Sequence, residues 1–236
     1  MPLPIIQHPT FEVKLPSSKT SVKIRPMLVK EEKILLIAKQ SGAKSDIMRA
    51  VNQVVNNCII SPKLVAEKLP IFEVEYLFLK IRAVSISNIS KVSYKDNEDD
   101  KIYDFDIDLD KVEIKFEEKT SNKISVGKDM VLELNYPNAE LYSSDELINA
   151  GEDTVFEVLL ANCLGKIYQG DQAFDAQTST AEERKQFIEQ LPAKSAEQVR
   201  VFFGNLPSMF YEIDYKNTKG TDRKIVLSTL EDFFTL

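Results

Sequence analysis

Ile102-Tyr103-Asp104-Phe105-Asp106-Ile107-Asp108-Leu109-Asp110 decides the fold class. Tyr103, Phe105, Ile107 and Leu109 alternate with Ile102 and four aspartates. A period of two belongs to a strand with one buried and one solvated face. The phase slips near Asp110-Lys111 before alternation resumes toward Phe116, so two strands with a turn or bulge between them are expected. The N-terminal part and the C-terminal third have helical spacing instead, which makes the chain α+β.

Toward the N-terminus, the acidic stretch Lys95–Asp100 reads as a loop. Ile71 to Ser85 brings Val74, Leu77, Phe78, Ile81 and Val84 to one face, with Tyr76 and Leu79 widening it. This is the central helix of an N-terminal bundle. Asp46 to Ile59 stripes Ile47, Val51, Val54, Val55, Cys58 and Ile59, and Val29 to Gln40 carries Ile34, Leu35, Ile37 and Ala38 before Gly42 as C-cap. Phe11–Leu15 and Val22–Arg25 alternate around Pro16–Thr20, an N-terminal β-hairpin that Pro26 stops.

Toward the C-terminus, Ser125-Val126-Gly127 reads as a turn and Met130–Tyr136 as a strand closed by Pro137. Asp153 or Thr154 caps a helix through Cys163, with Gly165 as its stop. Thr180–Glu183 and Ser195–Gln198 match capping boxes of two further helices. Tyr211–Tyr215 and Arg223–Leu227 make a closing β-hairpin, and Leu230–Phe234 ends the chain. The expected layout is an N-terminal β-hairpin plus helical bundle (1–95), a central antiparallel β segment (96–150), and C-terminal helices with the closing hairpin (151–236), as three regions or one compact unit.

The chain has 236 residues, 30 basic and 37 acidic, for a net charge of −7. Residues 1–95 hold 15 basic and 7 acidic side chains, net +8, and the remainder hold 15 and 30, net −15. Such a bipolar chain offers two charged faces to partners. No apolar run reaches the roughly 18 residues of a membrane span, and Met1–Gln7 lacks the pattern of a signal peptide. No membrane partner is expected. Cys58 and Cys163 have neither disulfide-framework nor metal-ligand spacing, so the expectation is free thiols in the cytosol.

Chemistry is sparse. His8, the single histidine, sits beside Pro9 near an end and reads as a free terminal histidine rather than a catalytic base. Both cysteines lie on apolar stripes and read as buried thiols. Asp106, Asp108, Asp110 and Glu117 imitate a calcium loop, but Lys111 stands where such a loop needs glycine. The glycines form no phosphate cradle. The basic residues are scattered over several elements, against a nucleic-acid partner. No catalytic residue, cofactor or metal is expected; a hydrolase using His8 or a cysteine, and a nucleic-acid-binding regulator, are the competing readings.

Two segments carry a resemblance: Phe11-Glu12-Val13-Lys14-Leu15-Pro16 with Ile24-Arg25-Pro26-Met27-Leu28-Val29-Lys30-Glu31-Glu32-Lys33-Ile34-Leu35-Leu36, and Leu69–Arg82. In this order they resemble the baseplate hub assembly proteins of T-even-type contractile-tailed phages, the family of the gene twenty-six product. The resemblance continues through the capping-box helices and Leu230–Phe234, and is weakest over 96–150. It implies a non-enzymatic role in building the central hub, as a subunit or as a helper that leaves, with other baseplate hub proteins as partners. Chaperoning the tape-measure protein is the alternative it implies. The protein would act in the host cytoplasm during assembly, or stay in the tail baseplate of the virion. Some relatives carry cysteine pairs in the last hairpin, suggesting a zinc knuckle. Asp214–Gly220 has no cysteine here, so this turn must hold by hydrogen bonds and Gly220. As interface anchors the residues expected are Arg25, with the N-terminal hairpin, and Phe233 and Phe234, since arginine and aromatic side chains dominate interfaces; packing of the two phenylalanines in the core is the equal alternative.

Overall fold

A computed structural model of the chain describes Pro4 and residues 6–117, 120–152 and 154–234. The N-terminal alternation forms the expected hairpin: β1 (Phe11–Lys14) and β2 (Ser21–Ile24) pair antiparallel, Phe11 opposite Ile24. Val22 and Ile24 point inward and are fully buried. Helix α1 (Val29–Ser41) ends at Gly42, whose φ of +70° is the left-handed C-cap that glycine adopts without strain. Helix α2 (Lys44–Cys58) buries Val51, Val54, Val55 and Cys58 completely, the stripe its spacing predicts, and packs on α1 and on α3 (Ile71–Ser85). Between α2 and α3, β3 (Ile59–Ser61) pairs with the other edge of β2.

The deciding stretch behaves as its period requires. β4 (Ile89–Lys95) and β5 (Ile102–Asp108) form a two-stranded antiparallel ribbon, from Ile89 opposite Asp108 to Lys95 opposite Ile102. Ile107 and Leu109 are buried, while Asp104 and Asp106 face solvent. At the phase slip, Leu109–Lys111 makes a 3-10 turn in which the Asp108 carboxylate accepts the Asp110 N–H. The second strand shrinks to β6 (Glu113–Lys115) and takes its partner from the far end of the sequence.

Downstream of β6 lies a separate compact unit, Phe116–Pro207. β7 (Lys123–Val126), β8 (Met130–Leu134), and then β9 (Leu164–Gln169) and β10 (Gln172–Asp175) form an antiparallel sheet of order β10-β9-β8-β7. The short helices α4 (Ala139–Tyr142) and α5 (Asp145–Ile148) precede α6 (Val155–Cys163), and α7 (Ala181–Glu189) and α8 (Ala193–Gly204) close the unit. Leu160, Ile188, Val199 and Phe202 from these helices form its core with Ile124, Leu132, Leu134 and Leu164 from the sheet.

The chain then returns to the first unit, Met1–Lys115 with Ser208–Leu236. β11 (Ser208–Lys216) pairs with β6 through Ser208–Phe210 and with β12 (Asp222–Leu227) through Tyr211–Lys216, and α9 (Leu230–Phe233) comes last. Among the described residues all pairings are antiparallel, and the α+β class stands.

Several local expectations change. Gly165 does not stop a helix in a loop; it lies inside β9, where a Cβ would meet the Glu133 carbonyl oxygen at 2.8 Å. The β9–β10 hairpin was not expected from the sequence, nor was β4. The box at Thr180–Glu183 forms with both of its hydrogen bonds, but Ser195 lies inside α8, which begins after Pro192, and its hydroxyl donates to the Ser125 carbonyl. Ser125 and Val126 belong to β7, and the turn starts at Gly127. Thr154 flanks α6 without a side-chain cap, and Asp153 lies outside the described residues. Backbone contacts also divide the chain elsewhere than the charge does, because β6 and β11 pair across the inserted unit. The first unit carries 22 basic and 21 acidic side chains, net +1, and the second 8 and 16, net −8. The acidic β4–β5 segment and the last hairpin fold with the basic helices.

Candidate interaction site

Arg25 directly succeeds β2, and its backbone N–H donates to the Cys58 carbonyl at 2.9 Å, which brings it to the end of α2. Its guanidinium forks onto Glu31, Nη2 to Oε1 at 3.0 Å and Nη1 to Oε2 at 3.3 Å, and also donates to the carbonyls of Pro26 and Asn57. Glu31 in turn accepts the Leu28 N–H at 2.8 Å and so closes the first turn of α1. The Glu31 side chain is 0% exposed and that of Arg25 15%. Burial alone opposes the charge on each, but the mutual hydrogen bond and attraction outweigh it. Glu31 is held below, and Arg25 above, its usual range. Arg25 therefore ties β2, α1 and α2 together from within the chain.

Phe233 and Phe234 part company. Phe233 is fully buried in the first unit, and its carbonyl accepts the Ser90 hydroxyl at 2.7 Å. Phe234 is half-buried, edge-on to Phe78 at 6.2 Å, with the Arg82 guanidinium 5.8 Å from its ring. Glu75 lies two turns before Arg82 on α3, and burial pushes its carboxyl up to about 7.

A second polar cluster holds the closing hairpin. Asp96, in the β4–β5 turn, accepts the Tyr215 hydroxyl and pairs with Arg223 Nε at 3.1 Å. The Tyr215 hydrogen bond is the main reason its carboxyl stays below the usual range. Asp99 accepts the Tyr103 hydroxyl and both the N–H and hydroxyl of Thr218, and Glu98 accepts Asn217 Nδ2 at 2.7 Å. Asn217 Oδ1 receives the N–H groups of Lys219 and Thr221, and Gly220 sits at φ +83°. The hairpin turn without cysteines is thus held by local hydrogen bonds and a left-handed glycine, with the rings of Tyr94, Tyr103 and Phe105 around Tyr215.

Sequence reasoning passed over the outer face of α1. Ile34-Leu35-Leu36-Ile37-Ala38 is a run of five apolar residues, more than one face of a helix can bury. Ala38 is buried, whereas Leu36 and Ile37 are 61% and 58% exposed and Val29, two turns earlier, is 81% exposed. At spacings of i, i+7 and i+8 they share a stripe with Lys33. That five-residue run was the signal.

Cys58 and Cys163 are buried free thiols, pushed by burial up to about 11 and about 12. His8 is exposed. Among the described residues no group of histidine, cysteine and carboxylate side chains is placed to hold a metal ion, and no helix is long and apolar enough to cross a membrane.

The features with definite geometry are therefore internal clamps and exposed faces. The chain belongs to the family of T4 bacteriophage base plate proteins, whose pattern it matches over residues 8–235. Neither the curated proteins nor the solved structures compared with it give a match.

Proposed function

We propose that this baseplate protein acts without catalysis in assembling the central hub, as a subunit or as a factor that leaves. The observation that carries the reading is the family match from residue 8 to 235, which takes in both compact units and so makes the whole chain a baseplate protein. Its partners are other baseplate hub proteins, met in the host cytoplasm where tails are built. A second reading, care of the tape-measure protein before the tube forms, is favoured by the exposed stripe of α1, against which an apolar helical chain can lie. Neither reading calls on nucleic acid, membrane or cofactor.

Affinity purification of the tagged protein from infected cells tests this. Hub proteins in the eluate are expected; recovery of neither hub nor tape-measure protein overturns the proposal. Mass spectrometry of purified virions then separates subunit from departing factor.

A further inference from the structure

The outer stripe of α1 gathers three exposed apolar side chains on one helix. Val29, Leu36 and Ile37 run along one face of the helix, and the stem of Lys33 lies between them. On its other side α1 packs on α2. A helix with apolar residues on both faces is ordinarily covered on both.

Charge says what covers it. Four charged side chains of α1 are exposed, three lysines (Lys30, Lys33 and Lys39) and one acid (Glu32), in a chain of net −7. Lys30 is 67% exposed on α1, and Lys33 is exposed beside the stripe. A twofold pairing of α1 with its own copy would set two such basic faces against each other. Docking on the acidic unit of another copy would be a head-to-tail contact, which builds open chains unless a ring closes. We infer that the outer face of α1 docks an amphipathic helix of a different tail protein, apolar along its seam and acidic along its flanks. The inference rests on the baseplate reading for the identity of the partner, and on the stripe and its charge for the chemistry.

The test uses two synthetic helical peptides of about 20 residues, one patterned with leucine and glutamate and one with leucine and lysine, titrated by fluorescence anisotropy into the full chain. The glutamate peptide is expected to bind, and to weaken as salt rises. Leu36→Glu with Ile37→Glu should weaken it by about tenfold or more. Both positions are exposed, so melting temperature and circular dichroism should stay unchanged. Lys30→Glu with Lys33→Glu should shift preference toward the lysine peptide. No binding of the glutamate peptide, equal binding by the Leu36/Ile37 variant, or equal affinity for the lysine peptide overturns the inference. So does a concentration-dependent dimer that the variant abolishes, which would assign the face to a second copy. Capture of hub proteins from infected cells reads the baseplate role separately: a variant that loses the peptide yet keeps the hub proteins leaves that role standing.

Discussion

Replacing Arg25 with methionine keeps the apolar stem and removes every donor of the guanidinium. Glu31 then stays at 0% exposure with the Leu28 N–H at 2.8 Å and Lys30 Nζ at 3.6 Å as its remaining partners. The carbonyls of Pro26 and Asn57 also lose a donor. Breaking a buried pair from one side costs roughly 3–5 kcal/mol; because the Leu28 amide and Lys30 remain, about 3 kcal/mol is expected. Urea denaturation monitored by circular dichroism measures it. The pH dependence carries the sharper sign. In the wild type Glu31 is held below its usual range, so its contribution is complete above the ordinary carboxylate pKa and is lost as pH falls through the lower folded value. In the variant, burial without Arg25 raises the carboxyl, and acid relieves the penalty by protonating it. The gap between the two proteins should therefore narrow from about pH 7 to about pH 4. Adding Glu31→Leu should recover most of the loss, since no buried charge is left. A deficit below about 1 kcal/mol, or one equal at both pH values, would refute the assignment of Arg25 as the counter-ion.

Gly165→Ala should destabilise the second unit by about 1–3 kcal/mol, because its Cβ meets backbone at Glu133 O and the Asn135 side chain at 3.0 Å; a thermal melt checks it. Iodoacetamide at about pH 8 should leave Cys58 and Cys163 unmodified until denaturant is added, which mass spectrometry reads directly. Glu75→Gln should stabilise the protein at about pH 8 and not at about pH 4: with a folded pKa of about 7, burial of the carboxyl costs stability increasingly as pH rises from the ordinary carboxylate range to that value. Paired melts of the two proteins at both pH values decide it.

Periodicities with a strong apolar–polar contrast are legible in the sequence, and faint ones are not. Ile71–Ser85 and the stripe of α2 are legible because a whole helical face repeats over four turns. β4 carries an alternation as regular as that of β5, Ser90, Val92 and Tyr94 against Ile89, Lys91, Ser93 and Lys95, but with serine in both sets the contrast is faint. β9 hides behind Gly165, whose residue type signals a helix end as readily as the close backbone approach that it serves. Ser195 shows the limit of a motif: a capping box needs an extended backbone at its first residue, and Pro192 had already opened the helix. The anchor expectation rested on residue type alone. The partners described for Arg25 and Phe233 lie in the chain itself. The α1 stripe was legible in Leu36 and Ile37 once a second apolar face was allowed for.

The pairing of β6 with β11 sets a timetable for synthesis. The 92 residues of the inserted unit, Phe116–Pro207, leave the ribosome before Ser208 does. At bacterial speeds of about 5–20 residues per second this takes roughly 5–18 s. By the end of that interval the inserted unit is complete and free to fold, while its host still lacks β11 and β12, the Asp96 counter-ion Arg223, and Phe233 for its core. Until then β6 is a strand without its partner, and its sheet forms only when the last hairpin arrives.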